Sequence, residues 1–268
     1  RRGSTPCAGT TPPTTSINKT MQKLQLHRGI VNFYTHHGMF HADEAMAAAI
    51  LRLAGYYFNI HRQAIDFDKE APEIDPKRDI VVDTGRRCIP RKGLFDHHQE
   101  RLQRNDKSYI ASAGLIWNSY GYHVTERYMP VNQVKPKNIW WVFDRVEKAL
   151  IKPLDTWDAD PNARAVLYGS SDQEFDMPHL ARMVSQMNYE RFREEPETQD
   201  LHFRDALNLC VNVLHQELKH QVRWVRDAVK FKSVVEEYHG GKVLLLREAV
   251  SWREMTHARY PFAQFVVM

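Results

Sequence analysis

Four short stretches of this chain carry imidazole and carboxylate groups directly after apolar runs. They are His36-His37-Gly38-Met39-Phe40-His41-Ala42-Asp43-Glu44, Val81-Val82-Asp83, Asp96-His97-His98-Gln99 and Leu154-Asp155-Thr156-Trp157-Asp158. Nitrogen and oxygen donors without thiolates suit Mn²⁺ or Mg²⁺ at a paired site, and Zn²⁺ less well. Two such ions can hold both the attacking and the leaving oxygen of a phosphoryl group. The residue types therefore point to a two-metal phosphohydrolase. Each stretch also has an ordinary reading. Asp43 before an Ala-rich run is a helix N-cap, Asp83 before Thr84-Gly85 is turn chemistry, and Asp155 or Asp158 caps a helix or pairs with a lysine. Asp96-His97-His98 is hardest to explain that way, because three adjacent ligating groups after Leu94-Phe95 have no packing use.

The elements that must position these groups follow from periodicity. Ile30 to Thr35 reads as a buried strand, and Asp43 to Ala54 as an Ala-rich helix closed by Gly55. Phe58 to Ala64, Asp79 to Val82 and Gly93 to Phe95 read as further strands. Ile110 to Tyr120 reads as a helix with small residues on its packing face. Asn138 to Ile151, apolar at Ile139, Val142, Phe143, Val146 and Leu150, reads as a helix ended by Pro153. Strands alternating with helices predict an α/β fold with a doubly wound, mostly parallel sheet. Ligands of such a sheet gather where strands end and loops open a crevice. His36, Asp83 and Asp96 each follow a strand and are expected on one rim. Beyond a polar, acidic segment from Asn188 to Asp200, a long helix runs from about Leu201 to Tyr238 and is stopped by Gly240-Gly241. Strands at Lys242 to Arg247 and Phe262 to Val267 follow. The chain thus divides into a disordered leader (1–27), a metal-binding catalytic domain (28–185) and a smaller α+β C-terminal domain (186–268).

Composition narrows the classes. With 268 residues and 43% hydrophobic content, the chain can bury one large core or two modest ones. No apolar run approaches the ~20 residues needed to span a bilayer, so no membrane partner is expected. Cys7, Cys88 and Cys210 are isolated and lack metal-ligand spacing, which fits a reducing, intracellular compartment. The net charge of +4 is misleading: residues 1–42 contain five basic and no acidic residues, and the remainder carries 32 basic against 33 acidic. Global basicity gives no support for nucleic-acid binding. Locally, seven basic residues lie between Arg86 and Lys107, around the Asp-His-His stretch. Such a bias would attract phosphate, or is an ordinary solvated loop. Residues 1–20 are basic, hydroxyl-rich and acid-free, and weakly resemble an organelle transit sequence.

Thr35 to Glu44 reads Thr-His-x-Gly-x-Phe-His-x-Asp-Glu, and so resembles the opening signature of the melanocyte proliferating gene family, within the DHH phosphoesterase superfamily. Val81 to Gly85, Phe95 to Gln99 and Ser112 to Ile116 are similar to its next three signatures, in order. The resemblance spans roughly residues 28–268. It implies a DHH-type catalytic domain and 3′→5′ exonuclease action, mainly on RNA, with two divalent ions, Mn²⁺ first and Mg²⁺ second. It further implies that His36, His41 and Asp43 ligate metal from the first loop, that Asp83 bridges the ions and that His97 completes one coordination shell. Asp96 would orient the site and His98 contact the phosphate, as the catalytic pair. Asp155 or Asp158 would supply the last carboxylate, with Asp155 preferred. The family's Asp-x-x-Asp-Asn-Gly is here Asp155-Thr156-Trp157-Asp158-Ala159-Asp160, which leaves that choice open. Arg86, Arg87 and Arg101 are the phosphate-binding candidates.

RNA is the expected partner, with single-stranded DNA as the alternative, and a homodimer is left open. The default location is cytoplasmic, with a mitochondrial or nuclear one implied by the family. Two other functions stay open. One is a pyrophosphatase or short-nucleotide phosphodiesterase on the same ligands. The other is a non-catalytic, metal-stabilised RNA-binding module, with Trp117, Tyr120, Tyr122, Trp140 and Trp141 stacking bases or, more simply, filling the core.

Overall fold

The structure, a computed structural model, describes residues 30–69, 73–99, 102–161, 179–189 and 196–268. The expected leader lies outside these residues, as does part of the acidic segment between 188 and 200. The chain opens with strand β1 (Ile30–Thr35), helix α1 (Ala42–Ala54) and strand β2 (Tyr57–Arg62). Strands β3 (Asp79–Val82), β4 (Cys88–Ile89) and β5 (Leu94–Phe95) complete a sheet of order β2-β1-β3-β5-β4, parallel except for β4. Helices α2 (Ser112–Tyr128), α3 (Pro136–Val146), α4 (Lys152–Ala159), α5 (His179–Tyr189) and α6 (Pro196–Val234) follow.

Alternation along the strands sorts side chains between two faces. Val31, Phe33, Ile80, Val82 and Phe95 join the large core built with the helices. Val81 and Leu94 turn the other way, onto Ile65, with Tyr34, Phe67, Ile74 and Ile89 around them. A doubly wound sheet implies helices on both faces, and here the architecture differs. The step from β1 to β2 and the step from β2 to β3 run in opposite directions across the sheet. Right-handed crossovers therefore put them on opposite faces. The first crossover is α1. The second, residues 63–78, contains Pro72 and Pro76 and, among the described residues, no helix, so irregular chain covers that face. The described residues form an α/β unit with a mostly parallel sheet whose helices pack on one face.

Helix α1 is buried at nearly every position because its Ala45, Ala47, Ala48 and Ala49 let both α2 and α6 approach. Gly55 ends it in the left-handed conformation at φ 98°. Pro153 does not end the helix before it. The backbone widens into a π-helical turn at Glu147–Ile151, and Pro153 enters α4 in its first turn, where a missing N–H is tolerated. Pro196 likewise opens α6 instead of marking a linker.

The long helix stops at Val234, and Val235–Tyr238 become strand β6. It pairs antiparallel with β7 (Val243–Leu246) across His239-Gly240-Gly241, all at positive φ. Helix α7 (Arg253–Arg259) and strand β8 (Phe265–Val267), parallel to β7, finish a small three-stranded module. Phe203 to Val225 of α6 belong to the large core, whereas Ala228 and Phe231 pack with Leu246 and Met255 in the small one. The two cores thus meet inside α6. Among the described residues no helix is long and apolar enough to cross a membrane.

Candidate metal centre

Strand register sets the site. Tyr34 pairs with Val81, and Val82 with Phe95. Extending those pairings by one or two residues aligns His36, Asp83 and Asp96 in a row across the C-terminal edge of three adjacent parallel strands. Asp83 is the centre of that row. It is buried, with φ 56°, a left-handed conformation that Asp tolerates better than most residues. Its Oδ2 lies 3.4 Å from His36 Nε2, and its Oδ1 lies 3.2 Å from His97 Nε2 and 3.4 Å from His98 Nδ1. Ser112 Oγ donates to Oδ1 at 3.3 Å.

Two sets of donors surround Asp83. On one side, His36 Nε2 is 3.1 Å from Glu44 Oε1, and the His36 and His41 rings are 5.7 Å apart. His36 Nδ1 donates to the His37 carbonyl at 2.9 Å, which leaves the Nε2 lone pair directed at the carboxylates whenever the ring is neutral. On the other side, His97 Nε2 is 3.2 Å from Asp158 Oδ2, and His41 Nδ1 is 3.9 Å from Asp158 Oδ1. Asp43 is not the N-cap of α1; His41 is. The Asp43 carboxylate instead accepts the Ser112 and Ala113 amides at the start of α2, at 3.0 and 2.6 Å, where the helix dipole favours an anion.

Charges in this cluster are unbalanced. Burial opposes the charge on His36, yet Asp83 and Glu44 outweigh it and push its pKa up to about 11. Burial likewise opposes charge on His97, which Asp158 and Asp83 raise to about 11. Burial would raise Asp83, but His36 and His97 hold it well below the usual carboxylate range. Asp43 is driven up by burial and then by the charges of Asp83 and Asp158. Glu44 Oε2 and His97 Nε2 are buried without a hydrogen bond, although His97 Nε2 sits at ion-pair distance from two carboxylates.

Donor atoms fall into three overlapping groups, each within 4.8 Å: His36, His41, Glu44 and Asp83; Asp83, His97 and His98; Asp43, His97 and Asp158. Ligands bound at about 2.0–2.2 Å from a common ion lie within such a span of one another. The orphaned buried atoms, the crowded carboxylates and the shared Asp83 fit divalent cations. His98 stands apart in one respect. Its Nδ1 and its backbone N–H both bond Asp96 Oδ1 at 2.8 Å, so that nitrogen is already engaged, and the ring is half exposed. Asp96 is buried and also accepts the Arg86 amide at 2.8 Å. Burial raises its pKa, but the bonds from His98 and the Arg86 amide leave it lowered.

Asp155 joins no group. Its Oδ1 accepts the Gly114 amide at 2.9 Å, and its Oδ2 accepts Arg104 Nη2, which Glu147 and the Tyr109 carbonyl anchor. A Cβ on Gly114 would come within 2.0 Å of Asp155 Oδ2, so the helix approaches only because that residue is glycine. Burial pushes the Asp155 carboxyl up to about 7 against the pull of Arg104. One helical turn separates the two aspartates, and Asp158 is the one facing the imidazoles. Of the phosphate candidates, Arg87 bonds Asp68 at 2.9 Å and lies over Phe67, and Arg86 contributes its amide to Asp96. Arg101 lies outside the described residues. Two residues of the quoted motifs carry contacts that sequence reasoning left unassigned: Glu44, the third residue of α1, and Ser112. Glu44 Oε1 accepts the His41 amide at 2.8 Å, and that helix-start spacing was the available signal.

The model of an uncharacterised protein family (UPF0160), labelled MYG1 exonuclease, matches residues 32–259. "MYG1 exonuclease" of Homo sapiens is 30% identical over 133 residues, covering 46% of this chain and 34% of that protein. "MYG1 exonuclease" of Rattus norvegicus is 26% identical over 242 residues, covering 82% of this chain and 59% of that one. The chain thus spans between a third and three-fifths of the length of these relatives. A solved pGpG-specific phosphodiesterase from Vibrio is 16% identical, covering 87% of this chain and 75% of that one at a TM-score of 0.33, too low to carry an argument.

Proposed function

The chain belongs to uncharacterised protein family UPF0160, the MYG1 exonuclease family, and on that premise we propose that it is a metal-dependent phosphodiester hydrolase, a 3′→5′ exonuclease on RNA. The observation that carries this reading is the fusion of donor groups through Asp83 and His97 at one sheet edge. In the proposed site, His36, His41, Glu44 and Asp83 would hold one cation, and Asp43, Asp83, His97 and Asp158 would hold a second. Asp158 takes the role first given to Asp155, because Asp158 lies with Asp43 and His97 in one donor group and Asp155 lies in none of the three. Three imidazoles among the ligands favour Mn²⁺ over Mg²⁺, which prefers all-oxygen shells. Bound in this way, such ions acidify a water and neutralise phosphoryl oxygens.

The protein's own part is positioning and charge. Asp96 fixes the His98 ring through Nδ1, and its negative charge favours the protonated imidazole. The His98 ring is half exposed beside Asp83, and in its protonated form its Nε2–H could be donated to a scissile phosphate. Asp43 ties α1 to the amide end of α2, so that the first loop cannot drift from Asp83. A base-stacking module without catalysis has little support: Trp117 and Tyr120 are buried, and Trp117 stacks on Phe143.

The test mixes the protein and Mn²⁺ with 5′-labelled RNA, alongside EDTA and His97→Ala controls. A ladder of shortened products that both controls abolish is expected. Intact label, with turnover of pyrophosphate or dinucleotides, would move the activity to small substrates.

A further inference from the structure

The loop from His36 to His41 must bring two imidazoles to one carboxylate cluster, and its backbone is held from outside. Arg62, the last residue of β2, donates through Nη2 to the Gly38 carbonyl. Asn188 of α5 accepts the Phe40 amide at 3.1 Å through Oδ1 and donates from Nδ2 to the Phe40 carbonyl. Gly38 sits at φ +82°, so without these bonds the loop has a soft hinge between its two histidines.

Arg62 is an expensive way to hold a loop, and that cost is informative. Its side chain is 2% exposed, and among the described residues its ion pair is a 3.5 Å contact with Asp200, which is 46% exposed. The guanidinium lies beside an edge-on pair of rings, 5.4 Å from the Phe40 centroid and 5.3 Å from that of Phe203 on α6, which are themselves 5.7 Å apart. Its Nε is buried without a partner. The Glu44 and Asp200 carboxylates offset this burial only in part, and an apolar side chain would fill the core at less cost. What the guanidinium adds is a planar fork that can rest against both Phe40 and Phe203 while still reaching the Gly38 carbonyl.

We propose that Arg62 and Asn188 are positioning residues, a two-point clamp on the backbone at Gly38 and Phe40 that sets the spacing of His36 and His41. The clamp couples that spacing to α5 and α6, elements far from the signature in sequence. It rests on reading His36, His41, Glu44 and Asp83 as a metal position.

Mn²⁺ binding, counted by EPR of the free ion, tests it on the full chain. The wild type should bind two ions. Asn188→Ala should weaken one of them by about 10-fold or more, as supporting residues around metal ligands commonly do, and leave the other unchanged. Arg62→Lys, which keeps the charge but loses the planar fork, should act on the same ion, and RNA turnover should return toward wild type at saturating Mn²⁺. A structural role alone would lower the melting temperature of the metal-free protein and leave both affinities intact, and that result overturns the clamp. If Asn188→Ala does not fold, Arg62→Lys decides by the same criterion. A wild type that binds no Mn²⁺, or an Asp83→Ala variant that binds as well as wild type, would instead overturn the metal centre itself.

Discussion

Two buried carboxylate regions flank the first turn of α2, and they are built on opposite principles. Asp155 takes the Gly114 amide and the Arg104 guanidinium, and Arg104 is in turn held by Glu147 and the Tyr109 carbonyl. The charges there close on one another. Asp43, which takes the neighbouring Ser112 and Ala113 amides, opens into a cluster with Asp83, Asp158, Glu44 and imidazoles, where buried atoms of Glu44 and His97 lack hydrogen bonds. Both regions use the same helix end to steady an anion. A closed network satisfies itself and holds α4 against α2. An open one leaves buried donors that a cation could satisfy. Buried charge by itself therefore does not mark a site; charge left unbalanced does.

The largest expected effect separates the regions by activity. Asp83→Ala and Asp158→Asn should each lower RNA turnover by about 10³-fold, the upper range for losing one charge-stabilising group. Asp155→Asn should keep the wild-type Mn²⁺ stoichiometry. An Asp155→Asn protein that loses an ion while Asp158→Asn keeps both would reverse the assignment. The next effect separates them by stability. Arg104→Ala strands a buried carboxylate and should cost about 3–5 kcal/mol, or roughly 10 °C in melting temperature, without changing Mn²⁺ binding. Equal stability of Arg104→Ala and wild type by thermal melting would mean that the Asp155 network does not hold α4.

Much of this was legible in the chain because the signals are local. Strand ends at Thr35, Val82 and Phe95 followed from apolar runs, and each hands its next residue to the rim. The choice between Asp155 and Asp158 was not legible. They lie one turn apart on α4, and which one faces the imidazoles is set by the π-helical turn at 147–151 and by Arg104, partners remote in sequence. The second face of the sheet was misjudged for a related reason. Alternating strands and helices predict a helical layer, but the crossover at 63–78 packs Ile65, Phe67 and Ile74 without helical periodicity. Glu44 was hidden by a plausible local role, since the third residue of a helix ordinarily bonds back to the N-cap amide, and it does so here at 2.8 Å.

The smallest effect, and the sharpest test of the open cluster, is in protons. With His36 and His97 raised to about 11 by the carboxylates around them, both rings are protonated in the metal-free protein at neutral pH. A metal ligand must be a neutral imidazole, so cation binding has to expel those protons. Calorimetric titration with Mn²⁺ at pH 7.5, in two buffers of different ionisation enthalpy, should reveal about two protons released as both sites fill. The sign for stability follows from the same shifts. A histidine whose folded pKa lies above its unfolded value near 6.5 stabilises the metal-free fold fully below that pH and loses the contribution as pH rises through about 11. The metal-bound form gives up this contribution and has fewer protons to displace at higher pH. The rise in melting temperature caused by Mn²⁺ should therefore grow from pH 6.5 to 8.5. A pH-independent increment, or no proton release, would mean that His36 and His97 are already neutral. The cluster would then resemble the Asp155 network in carrying its own balance of charge.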